Sequence, residues 1–194
     1  MRNLVILVSG TGSLLQALID DAARGKVFQI SCVISDNANC AALQRARAAG
    51  IEAIDIPTLN ITKDQWQQTL RDTVLAKQPD LVVSAGFMRI IKSDLFEVVP
   101  TINAHPSLLP LFPGANAVAD ALAAGVEKTG ASIHYVDHGV DSGKLISQRE
   151  VPILAGDSIA VLHERIKQVE RDQLVEVVVK LCQQSDLWAG IANG

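Results

Sequence analysis

Apolar residues along this chain come in two arrangements. Short unbroken runs, Leu4 to Val8 and Leu81 to Ser84, are composed like strands buried on both faces. Gln29 to Ser35 and Ala53 to Ile56 read as two more strands. Helical segments lie between these four runs. They are Leu14 to Ala23, Ala41 to Ala49 with Gly50 at its C-cap, and Lys63 to Lys77, which Thr62 can cap and Gln78-Pro79 stops. The second half continues with an apolar, strand-like run from Val98 to Ile102 and a helix from Ala115 to Ala124. An alternating strand from Ala131 to Val136 and a further strand from Leu145 to Pro152 follow. Asp157-Ser158 then caps a long helix, Ile159 to about Gln183, whose inner side is marked by Ile159, Leu162, Ile166, Val169 and Leu174. Strands alternating with helices predict an α/β fold: a doubly wound, mostly parallel sheet with right-handed crossovers and helices on both faces. Ligands bind such sheets beyond the C-terminal ends of the strands.

Length and composition narrow the class. The 194 residues fit one domain, 1–194, with a full core, and 48% hydrophobic with 20% charged residues is ordinary for a globular protein. The net charge is −4 and no run of Lys or Arg exceeds a pair, which argues against a general nucleic-acid surface. Cys32, Cys40 and Cys182 are odd in number and lack a C-x-x-C spacing, so they read as reduced thiols of a cytoplasmic protein. Leu4 to Val8 is too short for a signal peptide and runs into a glycine turn, and no stretch is long enough to cross a membrane. The sequence leaves monomer and homodimer open.

Two stretches carry candidate chemistry. The first is Asn103-Ala104-His105-Pro106-Ser107-Leu108-Leu109-Pro110, read as a stiff loop at a strand end, with Pro106, Pro110 and Pro113 excluding helix. Asn103 and His105 are two residues apart, so in extended chain they point to the same side. An amide donor beside an imidazole suits a reaction that develops negative charge on a carbonyl oxygen. The alternative is a structured loop with one buried, backbone-bonded histidine. The second stretch is Ser9-Gly10-Thr11-Gly12-Ser13, a strand-to-helix turn whose free N–H groups could hold an anion. A dinucleotide fingerprint would need a third glycine where Leu15 stands, so the turn suits a single phosphate better than NAD. It could equally be a tight turn without a ligand.

The octet Asn103 to Pro110 resembles the signature of the folate-dependent formyltransferases, and the resemblance extends over roughly residues 3 to 170. It implies a Rossmann-like formyltransferase fold. It further implies that the glycine turn, through Gly12 and Ser13 and then Leu14 and Leu15, holds the phosphate of the substrate. Many members carry Asn where this chain has Leu14, which leaves backbone donors at that position. Gly86-Phe87-Met88-Arg89-Ile90 is similar to the family segment lining the pterin pocket, so Met88, Arg89, Ile90 and Ile91, with Asn103, are the implied folate site, and Phe87 is expected in the core. Lys63 stands where relatives usually have Arg, near the folate or the phosphate. Asp141 matches the family aspartate beside the catalytic histidine, where a carboxylate would favour and orient the imidazolium. Lys167 and Glu170, on a polar stripe with His163, match residues that face the ribonucleotide. Asn116 replaces a common family histidine, and the chain departs from its relatives after Glu170. His134 alone reads as a structural histidine.

Within the family, the branch acting on a large RNA carries an additional C-terminal domain, and the hydrolase carries an N-terminal regulatory one. Neither is expected here. The reading that follows is an enzyme of purine biosynthesis. It would pass a formyl group from 10-formyltetrahydrofolate to the amine of 5′-phosphoribosylglycinamide without a metal, and would bind only small molecules, with no nucleic-acid or membrane partner. His105, Asn103 and Asp141 would be catalytic. The alternatives are a related formyltransferase or hydrolase with another acceptor, a non-catalytic mononucleotide sensor, and an NAD-dependent reductase, which the missing third glycine disfavours.

Overall fold

The structure is a computed structural model that describes residues 1–25, 27–92 and 94–188. Seven strands form one sheet: β1 (Arg2–Val8), β2 (Phe28–Ser35), β3 (Glu52–Asp55), β4 (Leu81–Ser84), β5 (Thr101–His105), β6 (Lys128–Tyr135) and β7 (Leu145–Pro152), in the order β3-β2-β1-β4-β5-β6-β7. The first five are parallel, and β6 and β7 run antiparallel to their neighbours. The helices are α1 (Ser13–Arg24), α2 (Ala41–Ala48), α3 (Lys63–Leu75), α4 (Leu95–Val98), α5 (Ala117–Ala123) and α6 (Ile159–Cys182). Residues of β1 alternate between two cores, as period-two geometry requires. Leu4, Ile6 and Val8 face the side covered by α1, α2 and the C-terminal half of α6, and Val5 and Leu7 face α3 and α4. Beyond the parallel strands, β6 and β7 continue as a ribbon packed against α5 and the first half of α6 through Ala131, Val151, Leu162 and Ile166.

Strand order reverses between β1 and β4, so a crevice opens where their C-terminal ends part. The glycine turn leaves β1 there, and the segment 85–91 leaves β4 there. Thr62 starts α3 with a reciprocal capping box to Gln65. Three expectations change. Val98 belongs to α4, not to a strand, and β5 begins after Pro100. Asn103 and His105 are the last residues of β5, not of a loop: the residue before a proline favours extended backbone, so Pro106 ends the strand only after His105. Ile159 is 53% exposed, because the first turn of α6 projects past the ribbon and its inner side starts at Leu162. All three cysteines are free and buried. No helix among the described residues is long and apolar enough to cross a membrane.

Candidate active site

Asn103 and His105 share one face of β5, as their spacing predicts, and the antiparallel β6 sets His134 directly opposite Asn103 and Ser132 opposite His105. Asp141, from the segment joining β6 to β7, lies among them. Its Oδ2 is 2.8 Å from the Gly114 nitrogen and 3.3 Å from His105 Nδ1, and its Oδ1 is 3.3 Å from Asn103 Nδ2 and 3.5 Å from His134 Nε2. Asp141 holds a left-handed φ of 52°, which short polar residues tolerate. Only 14% of its side chain is exposed.

The acceptors fix the proton positions. His105 Nε2 is 2.9 Å from the Phe112 carbonyl, and Nδ1 faces the Asp141 carboxylate. A carbonyl and a carboxylate both accept, so an N–H on either ring nitrogen of His105 finds a partner. His134 Nδ1 is 2.8 Å from the Tyr135 carbonyl and must donate to it. Its Nε2 is nearer to Asn103 Nδ2, at 3.2 Å, than to Asp141, so it accepts from the amide. Both Asn103 amide protons are therefore placed, one on His134 and one on Asp141. Burial alone would raise the Asp141 carboxyl. The hydrogen bond from the Gly114 N–H and the positive charge of the His105 ring outweigh burial and hold it below the ordinary carboxylate value.

The segment after β5 is fastened from below. Ser132 Oγ donates to the Ser107 carbonyl (2.6 Å) and accepts from the Leu109 N–H (3.1 Å) and from Gln148 Nε2 (3.0 Å). Gln148 Nε2 also donates to the Leu109 carbonyl at 2.6 Å. Leu108 lies across Gly130 so closely that a Cβ there would be 2.5 Å from it. The Leu109–Pro110 bond is cis. Ser132, Gln148 and Gly114 are not marked by the sequence, and His134, a structural histidine by its sequence, proves to bond Asn103. The one available signal was that Ser132 and His134 share a face at strand spacing.

At the crevice, Gly12 caps α1 with φ 74°, and a Cβ there would stand 2.7 Å from that of Ala42, so no other residue fits the turn. The N–H groups of Ser13, Leu14 and Leu15 have no partner among the described residues, and the first helical bond runs from Gln16 to the Gly12 carbonyl. The side chains of Leu14 and Leu15 are core, so these two residues can offer an anion only backbone. α6 packs beside α1. Glu170 is 4% exposed, so at this residue the polar stripe points inward. Burial pushes its carboxyl up to about 7 against the opposing charges of Lys167 and Arg171. Lys167 is half-buried, and its charge adds to burial in pushing the His163 ring down.

The segment after β4 divides. Met88 and Ile90 are exposed at 69% and 51%, while Phe87 and Ile91 are core residues against α3. The Ile91 side chain is 6% exposed, so what this residue offers a ligand is chiefly backbone, as the family segment implies. Arg89 donates to Asp36 at 2.8 Å, Ser9 Oγ donates to the other oxygen of Asp36 at 2.6 Å, and the Met88 N–H donates to Ser9 Oγ at 2.8 Å. These bonds tie the ends of β1, β2 and β4 together. Lys63 is exposed at the first position of α3 and joins none of these groups. Among the described residues, no three His, Cys, Asp or Glu side chains converge so that they could hold a metal ion.

Comparisons bear on this geometry. A family profile described as "Formyl transferase" matches residues 2–178. The chain is 44% identical over 181 residues to the phosphoribosylglycinamide formyltransferase of Mycobacterium tuberculosis, covering 92% of this chain and 84% of that one. It is 37% identical over 172 residues to the Escherichia coli K12 protein of the same name, covering 87% and 81%. Among solved structures, glycinamide ribonucleotide transformylase 1 of Symbiobacterium toebii superposes with a TM-score of 0.91 at 35% identity, covering 94% of this chain and 88% of that one.

Proposed function

Since the chain belongs to the formyl transferase family, we propose that it transfers a formyl group from 10-formyltetrahydrofolate to the amine of 5′-phosphoribosylglycinamide, a step of purine biosynthesis in the cytoplasm. The observation that carries this reading is His105 between two acceptors, with Asn103 on the same strand face and Asp141 binding both. The neutral glycinamide amine attacks the formyl carbon, and the carbonyl electron pair moves to oxygen. The Asn103 amide and the Nε2–H of the His105 imidazolium donate to that oxyanion, His105 releasing the Phe112 carbonyl while its Nδ1 stays on Asp141. Asp141 keeps the ring charged and oriented. One amine proton passes through water to N10, the carbon–N10 bond breaks, and tetrahydrofolate leaves. No step calls for a metal.

The N–H groups of Gly12, Ser13, Leu14 and Leu15 receive the substrate phosphate with Lys167, and Glu170 accepts from the ribonucleotide. The backbone of Met88, Arg89, Ile90 and Ile91, with Asn103, receives the pterin, and Lys63 stands toward the folate or the phosphate. The chain, 1–194, acts as a single domain. Incubation with 10-formyltetrahydrofolate and 5′-phosphoribosylglycinamide tests the reading: a formylated ribonucleotide should accumulate as tetrahydrofolate appears. Turnover with water but not with the ribonucleotide would make the chain a hydrolase instead.

A further inference from the structure

On the face of the sheet opposite Asn103, His105 and His134, the start of β7 and the last turns of α6 leave an open cleft of about 650 Å³. That lies within the range of roughly 300–1,000 Å³ typical of small-molecule sites. Its wall includes Tyr135, Val177 and Leu181, and its rim includes Lys144 and Lys180. Tyr135 is only 5% exposed, yet its hydroxyl makes no hydrogen bond among the described residues. The small exposed part of Tyr135 includes this hydroxyl, which opens to the cleft and is free to donate to an arriving acceptor. Of the acidic groups on the rim, Glu176 pairs with Arg149 at 2.5 Å, while Asp186 accepts from the Trp188 N–H at 2.8 Å but pairs with no cation among the described residues. Lys144 and Lys180 form no ion pair among the described residues.

We propose that this cleft is a second binding site, separate from the formyl-transfer centre, for a small planar organic anion: an aromatic or heteroaromatic ring bearing a phosphate or carboxylate. The ring lies on Val177, Leu181 and the Tyr135 ring, the anionic group sits between Lys144 and Lys180, and the Tyr135 hydroxyl donates to it. The site is not isolated from the chemistry. The Tyr135 carbonyl is the acceptor that fixes His134, and the Tyr135 N–H is bonded to the Lys144 carbonyl at 2.9 Å. An occupant therefore touches both ends of the segment that carries Asp141.

The test is a titration of the 15N-labelled protein with adenosine 5′-monophosphate, with inorganic phosphate and adenosine as half-probes. Saturable shifts of the Tyr135, Lys144 and Lys180 amides are expected at millimolar nucleotide or below, with neither half-probe matching it. Lys180→Glu should weaken the nucleotide about tenfold and Tyr135→Phe several-fold, with formyl transfer by Lys180→Glu unchanged in the absence of nucleotide. Shifts confined to Ser13, Leu14 and Leu15, no saturable shift, a half-probe binding as well as the nucleotide, or an affinity indifferent to Lys180→Glu would each overturn the proposal.

Discussion

Glu170→Gln should stabilise this protein, and only at neutral and alkaline pH. Burial lifts the Glu170 carboxyl from its ordinary 4.5 to about 7 in the folded chain, with Lys167 and Arg171 opposing the rise. Each unit of difference corresponds to about 1.4 kcal/mol, so the full effect is about 3 kcal/mol at most. The sign follows from linkage: the folded state holds this proton more tightly than the unfolded one. The resulting stability is complete below pH 4.5 and is lost as the pH rises through about 7, where the folded state must ionise a buried group. Glutamine keeps the shape and carries no proton to lose. The two proteins should therefore unfold alike near pH 4.5 and diverge by up to about 3 kcal/mol by pH 8. Urea unfolding monitored by circular dichroism at several pH values reads this directly, provided the slopes agree. A gain equal at both ends of the range would mean that the glutamine makes a better hydrogen bond and that ionisation is irrelevant. A destabilised variant at pH 8 would mean that the carboxylate is held by partners strong enough to offset its burial.

Other substitutions probe the remaining groups. His105→Ala should cut kcat about a hundredfold or more while both ligands still bind, and near-normal turnover would sink the role given to His105. Asp141→Asn keeps a residue that tolerates φ 52°. It should cost turnover and change the His105 ring 15N shifts, because the ring loses its carboxylate partner. Because the Asp141 carboxyl is held low in the fold, its contribution to stability is present above the ordinary carboxylate range and fades as pH falls through the lowered value. The Asn variant should thus lose less stability on acidification than the parent. Lys167→Glu should raise KM for the ribonucleotide with little change in kcat or in folate affinity, and an equal loss for folate would misplace the phosphate site. Gly12→Ala should destabilise by about 1–2 kcal/mol from its left-handed backbone alone, more with the clash at Ala42, and should weaken the phosphate end of the substrate in binding measurements.

The sheet was legible because burial on both faces leaves a compositional mark: Leu4 to Val8 and Leu81 to Ser84 sit where their apolar runs say. Thr62 and Gln65 form the box their spacing suggests. Less legible was anything set by pairing across strands. Lys128, Thr129 and Gly130 look like turn residues, yet they extend β6 because β7 supplies their partners, Pro152, Val151 and Glu150. The charge pattern puts Glu170 on a polar stripe, but it records helix spacing and not what packs against it. Its burial comes from the elements around α6, which the helix's own sequence does not describe.

His134 is the clearest such case, and its meaning depends on register. In an antiparallel pair, residues directly opposite share a face and stand close enough for their side chains to meet. The pairing of Asn103 with His134 and of His105 with Ser132 therefore sets two tasks on one strand. His134 fixes the amide of Asn103, and Ser132, two residues earlier, fastens the segment that follows His105 through Ser107 and Leu109. A slip of one residue would turn both side chains to the opposite face. It would leave the Asn103 amide free to rotate and the His105 segment unfastened at once. If β6 ran parallel to β5, Tyr135 would lie at the other end of the pair, no longer opposite Ile102, and the return that carries Asp141 to Leu145 would start from there. The reversal of strand direction at β6 is thus what lets one histidine, one serine and one aspartate converge on the end of β5.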